Sequence, residues 1–479
     1  MNPLEISAEE FRRLAAQVTD LAAEYLKNID ARRIAPATTG LETLRLFRTP
    51  LPENGSGRDS LRALEEVVNL CRVQNGRFFG YVLGSGEPVG AVADLLASVL
   101  NQNVTAWRSG PAAVTIEQTV VGWLAEAIGC PQFRGHLTGG GSSANLMGLA
   151  MAREATAPGN ERGLASGGIV YASEEVHMSI PKSIALLGIG RDNLCLVPTD
   201  GSFRMIPEEL ESRILEDKRA GKTPLAVVAS AGTVSTGAID PLGAIAEIAH
   251  RHGAWLHVDG AYGALAAIAH RDKFDGLELA DSISLDPHKW LYQPLDCGCL
   301  LYRSAEAAQK AFSHSGEYAR SLSQDPVEGF VFFEESIELS RRFRALKLWL
   351  SLRYHGLSAF RQAIANDVKH AHDLEEMIAN EPQFELLAPA ELSAVCFRHR
   401  GGGQLAEEDR NRFNATLLKR VVDRGRVYLS NASLRGRFAL RACIVNHRTK
   451  KSDLECVISE VLAAAEEIGR YPSAAQSLT

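Results

Sequence analysis

Apolar residues recur every three or four positions near the start of the chain, at Phe11, Leu14, Val18, Leu21 and Tyr25. That spacing predicts a helix with one apolar stripe, which must be buried against its own domain or another surface. Ser7 with Glu10 reads as the capping box that opens it. Pro36 to Gly57, rich in Pro, Thr and Gly, reads as a linker. Asn75 to Tyr81 reads as a loop or short strand, whose aromatics Phe78, Phe79 and Tyr81 either line a pocket or belong to a core. Asn101 to Ala113 reads as irregular, ahead of a helix from about Thr115 to Ile128.

From Gly135 the pattern becomes strands alternating with helices, which predicts a parallel sheet. Gly168–Ala172, Leu225–Ser230, Ala254–Val258 and Ala280–Leu285 are the strand-like runs, and Cys297–Tyr302 is a further apolar run. Asp240-Pro241 reads as a helix start and Gly253 as its stop. Ala305 to Glu335 has mixed polarity and no long period, as expected of an active-site lid or a plain linker. A strongly apolar helix then runs to about Tyr354. Beyond Phe360, strands at Ala394–Arg398, Val427–Ser430 and Phe438–Ile444 precede a last helix, Lys451–Ile468, and predict a smaller α/β domain.

At 479 residues the chain is too long for one core, and two or three domains are expected. We divide it at 1–80, 81–355 and 356–479. A net charge of −7 and the absence of any basic run argue against nucleic acid as a partner. No apolar run reaches the ~18 residues of a membrane span, and no signal-peptide layout opens the chain. The eight cysteines form neither a disulfide framework nor a metal-binding CxxC pair. A cytoplasmic protein without a metal is expected.

Three stretches carry chemistry. In Ser284-Leu285-Asp286-Pro287-His288-Lys289-Trp290, a lysine follows a strand end. A desolvated lysine loses affinity for its proton, and its neutral amine attacks carbonyls. Pyridoxal phosphate exploits such a lysine as a Schiff base; a lone His-Lys pair is otherwise a buried or ion-paired lysine. In His257-Val258-Asp259-Gly260-Ala261-Tyr262, Asp259 falls at a strand's carboxyl end, where open α/β sheets bind ligands. A carboxylate there suits a pyridine nitrogen, although alone it reads as a helix cap. Thr138-Gly139-Gly140-Gly141-Ser142-Ser143-Ala144-Asn145 runs into a helix whose N-terminus suits a phosphate. It matches neither a P-loop nor GxGxxG.

In that order the three stretches resemble the pyridoxal-phosphate-dependent group II amino acid decarboxylases, in the aromatic-L-amino-acid decarboxylase branch. The similarity runs from Glu10-Phe11-Arg12-Arg13 through Phe78-Phe79-Gly80-Tyr81 to Arg341-Arg342-Phe343-Arg344-Ala345-Leu346-Lys347-Leu348-Trp349. The resemblance implies a fold-type I α/β enzyme. Its large domain holds a mostly parallel seven-stranded sheet, followed by a small C-terminal domain. The N-terminal segment packs across a homodimer. The implied activity is decarboxylation of a small-molecule L-amino acid to an amine. The implied roles are Lys289 as cofactor anchor, Asp259 at the ring nitrogen, His177 stacked on one ring face and Ala261 on the other. Gly141 and Ser142 would hold the phosphate. Thr233 would lie near the ring oxygen or substrate, and His288 near the phosphate or the reacting groups.

Several positions depart from the family pattern. Asp286 stands where relatives carry Asn. Thr105, with Asn103 and Arg108 nearby, replaces an aromatic residue that helps hold a substrate ring; Arg108 would suit an acidic substrate. An ungapped count from Arg341 puts Phe332 where the family's lid tyrosine donates a proton, an exchange that in related aldehyde synthases yields an aldehyde. Tyr318, His314 and His177 are the other candidate donors.

Overall fold

The computed structural model describes residues 2, 4–164, 168–314, 325–402 and 405–470. Seven strands form the main sheet: β1 (Arg134–Thr138), β2 (Gly168–Ser173), β3 (Leu194–Val197), β4 (Thr223–Ser230), β5 (Trp255–Asp259), β6 (Ser282–Leu285) and β7 (Gly298–Tyr302). Their order is β1-β7-β6-β5-β4-β2-β3. β2, β5 and β6 are buried along their whole length, as parallel strands covered by helices on both faces must be. Only β7 runs antiparallel to its neighbours, β1 and β6. In the register, Ser230 lies beside Asp259 and Asp259 beside Ser284. Three strand ends therefore meet at one level, and all three open onto the same edge.

Four later strands, β8 (Phe384–Leu386), β9 (Ala394–His399), β10 (Ser430–Leu434) and β11 (Arg437–Cys443), form an antiparallel sheet of order β10-β11-β9-β8. Arg435 and Gly436 both take positive φ, and this two-residue turn fixes the hairpin. It pairs Leu434 with Arg437 and so moves the strand expected at Val427–Ser430 toward the turn. Phe79 enters the core of this sheet, while Phe78 stacks on Tyr428 at 5.0 Å. Both aromatics are core residues rather than pocket walls. The Tyr262 hydroxyl, 2.8 Å from Ser393 Oγ, ties the two sheets together.

The N-terminal region departs from the expectation in two places. The stretch read as linker contains a helix. After α1 (Ala8–Lys27) comes α2 (Gly40–Phe47), opened by a full capping box between Thr39 and Glu42. At Ser7 only half of the box forms, because the Glu10 carboxylate turns to Arg58. The apolar stripe of α1 is only partly covered by the described residues of its own chain: Leu14, Leu21 and Tyr25 are half-buried. No residue of α1 is buried, and Phe11 and Val18 are 42% and 44% exposed. After α3 (Ala63–Leu70), α4 (Pro88–Leu100) leaves Val92, Leu96 and Val99 between 51% and 64% exposed. α5 (Pro111–Ala127) begins earlier than expected, with Pro111 in its first turn. Asp240 is not a helix cap. Its buried carboxylate accepts the N–H groups of Met205 and Ser230, both at 2.7 Å, and burial raises its pKa to about 6.

The chain between α4 and α5 is held by a buried ion pair, Arg341 with Glu117. Arg341 also donates to the carbonyls of Val104 (2.7 Å) and Leu137 (2.9 Å), and Glu117 accepts the Leu137 N–H at 2.9 Å. One guanidinium thus joins the loop after α4, the strand β1 and the chain leading to residue 341. Arg341→Ala leaves Glu117 buried without its cation and is expected to cost about 3–5 kcal/mol in urea unfolding. Arg341→Met with Glu117→Leu is expected to recover most of that loss; equal losses in the single and double variants would show that the pair is uncoupled.

Candidate active site

At the carboxyl edge of the main sheet lies a cavity of about 310 Å³. Lys289, Asp259, Ala261, His177, Gly141, Ser142, Thr233 and His288 all line it. These eight residues are thus brought to one place, although they come from separate crossovers of the sheet. Asn145, Glu175 and Asp286 line it as well.

The floor is Asp259, the last residue of β5. Its Oδ1 accepts from Ala261 N and Ser284 Oγ, both at 3.2 Å, and its Oδ2 accepts from Asn145 Nδ2 at 2.9 Å. A buried carboxylate needs such donors, because desolvation otherwise disfavours its charge. Asn145 projects from α6 (Gly141–Thr156), one turn beyond the glycine turn. Its amide also donates to Ser179 Oγ at 2.9 Å, and that hydroxyl lies 2.8 Å from His177 Nδ1. The Ser179 backbone N–H donates to the same Nδ1 at 3.2 Å. His177 Nδ1 is therefore an acceptor, and the neutral ring keeps its proton on Nε2. Burial lowers the His177 pKa, which favours this neutral form.

One wall is the start of α6. Gly140 takes φ 144°, a left-handed value that favours glycine, and no side chain caps the helix. A Cβ on Gly141 would lie 2.6 Å from Ala261 Cβ, so backbone lines the cavity where a larger residue would block it. The helix N-terminus consequently presents N–H groups and a positive dipole end.

Opposite it, Asp286 ends the lysine strand. Its Oδ2 is 2.9 Å from Lys289 Nζ and 3.5 Å from His288 Nε2. Its Oδ1 is buried without a hydrogen-bond partner among the described residues. His288 Nδ1 accepts the Cys297 N–H at 3.3 Å, and burial lowers this histidine's pKa. The Thr233 hydroxyl is engaged by Thr236 Oγ1 (2.9 Å) and Ala238 N (3.2 Å), so it closes its own turn. Tyr292, with φ 52°, donates from its hydroxyl to buried Asp367 at 2.8 Å and anchors the chain just beyond Lys289.

Other sequence candidates lie elsewhere. Phe332 is fully buried, donates its N–H to Thr105 O at 2.8 Å and carries the Arg341 guanidinium 4.1 Å above its ring. It belongs to the core and does not line the cavity of the single chain. Arg108 and His314 are exposed and outside the cavity. Tyr318 lies outside the described residues. Asn145 stood within the glycine stretch but had no assigned role; its place one helical turn after Gly141 was the available signal.

The pyridoxal-dependent decarboxylase conserved domain matches residues 62–400. An aromatic-L-amino-acid decarboxylase of Bacillus atrophaeus is 36% identical over 482 residues, covering 99% of this chain and 99% of that protein. A phenylacetaldehyde synthase of Petunia hybrida is 32% identical over 92% of this chain and 91% of its own. The solved structure of Oryza sativa TDC with PLP and tryptamine matches with a TM-score of 0.91 at 29% identity, covering 98% of this chain and 99% of that one.

The Tyr292 anchor carries a pH prediction. Burial raises the Asp367 pKa to about 8, above the ~3.9 of an unfolded aspartate. The folded state therefore holds a proton that the unfolded state releases between these values. This contribution to stability is full below about pH 4 and is lost as pH rises toward 8, by about 1.4 kcal/mol per pH unit. Asp367→Asn is expected to gain stability relative to the parent as pH rises through that window. A pH-independent difference in urea unfolding would show that Asp367 is ionised when folded.

Proposed function

The chain belongs to the pyridoxal-dependent decarboxylases, and on that premise we propose which of its residues do the work and on what substrate. The protein is a fold-type I pyridoxal-phosphate enzyme that decarboxylates an amino acid, a carboxy-lyase. Bound pyridoxal phosphate supplies the electron sink for the pair left when the carboxylate departs.

The residues present suit that cofactor. The glycine-lined N-terminus of α6 offers a phosphate its N–H groups, with Gly141 and Ser142 nearest in sequence. Ala261 and the glycines leave the walls free of bulk. The carboxylate at the end of β5 is already held by three donors.

Lys289 anchors the cofactor through its amine. Asp259 holds a proton at the ring nitrogen. His177 would pack on one face of the bound ring and present its Nε2 proton, while small Ala261 would leave room on the other face. His288, kept neutral by burial, serves the phosphate side or the reacting groups. Thr233 shapes the wall through its turn. Asp286 neutralises Lys289 until the cofactor is in place. The single observation that carries these assignments is the convergence of Lys289, Asp259, His177 and the α6 N-terminus on one cavity.

The substrate we favour is an aromatic L-amino acid, and the product its amine. The Bacillus atrophaeus relative supports this, while an acidic substrate loses its main support because Arg108 stands outside the cavity in the single chain. An aldehyde product loses the Phe332 argument with the burial of that residue. The exposed faces of α1 and α4 support a homodimer, with residues 1–80 packing across it. Eight free cysteines support a reducing, cytoplasmic location.

Borohydride reduction of the holoenzyme followed by peptide mapping is expected to label Lys289; a label on another lysine refutes the anchor. In sedimentation, the parent is expected to run as a dimer and Leu96→Glu with Val99→Glu as a largely inactive monomer. An active monomeric parent would refute the shared assembly.

A further inference from the structure

Behind Asp259 the side chains form a chain of hydrogen bonds whose direction is fixed. A carboxylate oxygen accepts, so the Asn145 group facing Asp259 Oδ2 at 2.9 Å is the amide nitrogen. The Asn145 carbonyl oxygen then faces His257 Nε2 at 2.9 Å, and that nitrogen must carry the proton. His257 is fully buried, and burial lowers its pKa to about 4, so the ring is neutral and its Nδ1 is bare. Nδ1 accepts from the Ser282 hydroxyl at 2.8 Å. Ser282 Oγ in turn accepts from Trp255 Nε1 at 2.8 Å. Every donor points toward Asp259, and each bond polarises the next.

The packing makes room for this arrangement. A Cβ on Gly148 would lie 2.6 Å from His257 Nδ1, so the helix passes the ring only because that position is glycine. Within the backbone of the sheet these polar groups would otherwise be costly, since Ser282 and His257 sit in strands that are fully buried. Their arrangement accounts for every polar atom in the chain.

We infer that Asn145 is the positioning residue for Asp259, and that His257 sets Asn145's orientation from behind. Hydrogen bonds to a carboxylate favour its charged form. The Asn145 amide therefore fixes Asp259 Oδ2 as an acceptor and keeps the carboxylate turned to the cavity, where it would hold a proton on the cofactor's ring nitrogen. Without this donor, the proton shifts from the ring nitrogen toward the carboxylate. The inference rests on the role proposed for Asp259, and its test separates the two.

The test loads the parent, Asn145→Leu, His257→Gln, His257→Leu and Asp259→Asn with pyridoxal phosphate labelled with nitrogen-15 in the ring. Nitrogen NMR then reads ring protonation directly, alongside kcat and KM. Gln at position 257 keeps an N–H donor for Asn145, whereas Leu does not. The parent and His257→Gln are expected to show a protonated ring nitrogen. Asn145→Leu and His257→Leu are expected to move that signal toward the unprotonated position. Their kcat should fall about 10- to 100-fold, the effect of one hydrogen bond to a charged group, with KM changed less than about threefold. A parent-like nitrogen signal in Asn145→Leu overturns the inference. If Asn145→Leu does not fold, the His257 pair decides: a His257→Leu signal matching that of His257→Gln overturns it equally. If Asp259→Asn itself leaves the ring nitrogen unchanged, the role of Asp259 is what fails.

Discussion

The carboxylate of Asp259 sets the terms for the centre of the molecule. It is buried at the end of a central strand, where an unpaired charge would be expensive. Its donors come from three directions: its own turn through Ala261, the neighbouring strand through Ser284, and α6 through Asn145. Each donor imposes a geometric demand. Ser284 must stand level with Asp259, which the β5–β6 register provides. Asn145 must reach across from α6, which requires that helix to lie close against the sheet. The glycines at 141 and 148 permit that approach, since a Cβ at either would lie 2.6 Å from the opposing side chain. The glycine turn and the acid, read separately in the sequence, thus form one packing unit.

The cavity's charges are arranged around the same point. Lys289 is matched by Asp286, and the α6 N-terminus faces them with its positive end. His177 and His288 are both held toward neutrality by burial, so they can act as directional donors and ring surfaces rather than as further cations. The unpartnered Oδ1 of Asp286 is the one group there whose needs the described side chains leave unmet. That position is also where the chain departs from its family's usual asparagine.

The site was legible where chemistry follows a strand end. Asp259 directly follows an apolar run and Lys289 follows another by four residues, which brings both to the sheet's carboxyl edge; the glycine turn follows the polar strand β1 and is legible from its own glycines. Contacts between distant segments left no such mark. Arg341 and Glu117 are far apart in sequence, and nothing local distinguishes this arginine from its neighbours Arg342 and Arg344. The edge strand β3 escapes notice because its apolar run, Leu194 to Val197, is only four residues long and lies partly exposed at the edge of the sheet. The helix α2 was missed for a different reason: composition was given more weight than Thr39 with Glu42, a cap signal with a physical mechanism. The burial of Phe332 under Arg341 likewise depends on contacts between distant segments, which a count along the chain does not contain.

The Arg341 cluster also relates the exposed surface to the cavity. α4 ends at Leu100, and within a few residues the chain reaches Val104, whose carbonyl accepts from Arg341. The same guanidinium holds the carbonyl of Leu137, the residue before Thr138, which ends β1 and enters the glycine turn. The Thr138 hydroxyl accepts the Gly140 N–H at 3.2 Å, just ahead of α6. Between the exposed face of α4 and the N-terminal end of α6 there are therefore only a short loop, one buried cation and one threonine. A partner that covered α4 would press on a loop whose position is fixed by the group that also fixes the entrance to the glycine turn. The loop after α4 and the entrance to the glycine turn thus share one support, the Arg341 guanidinium.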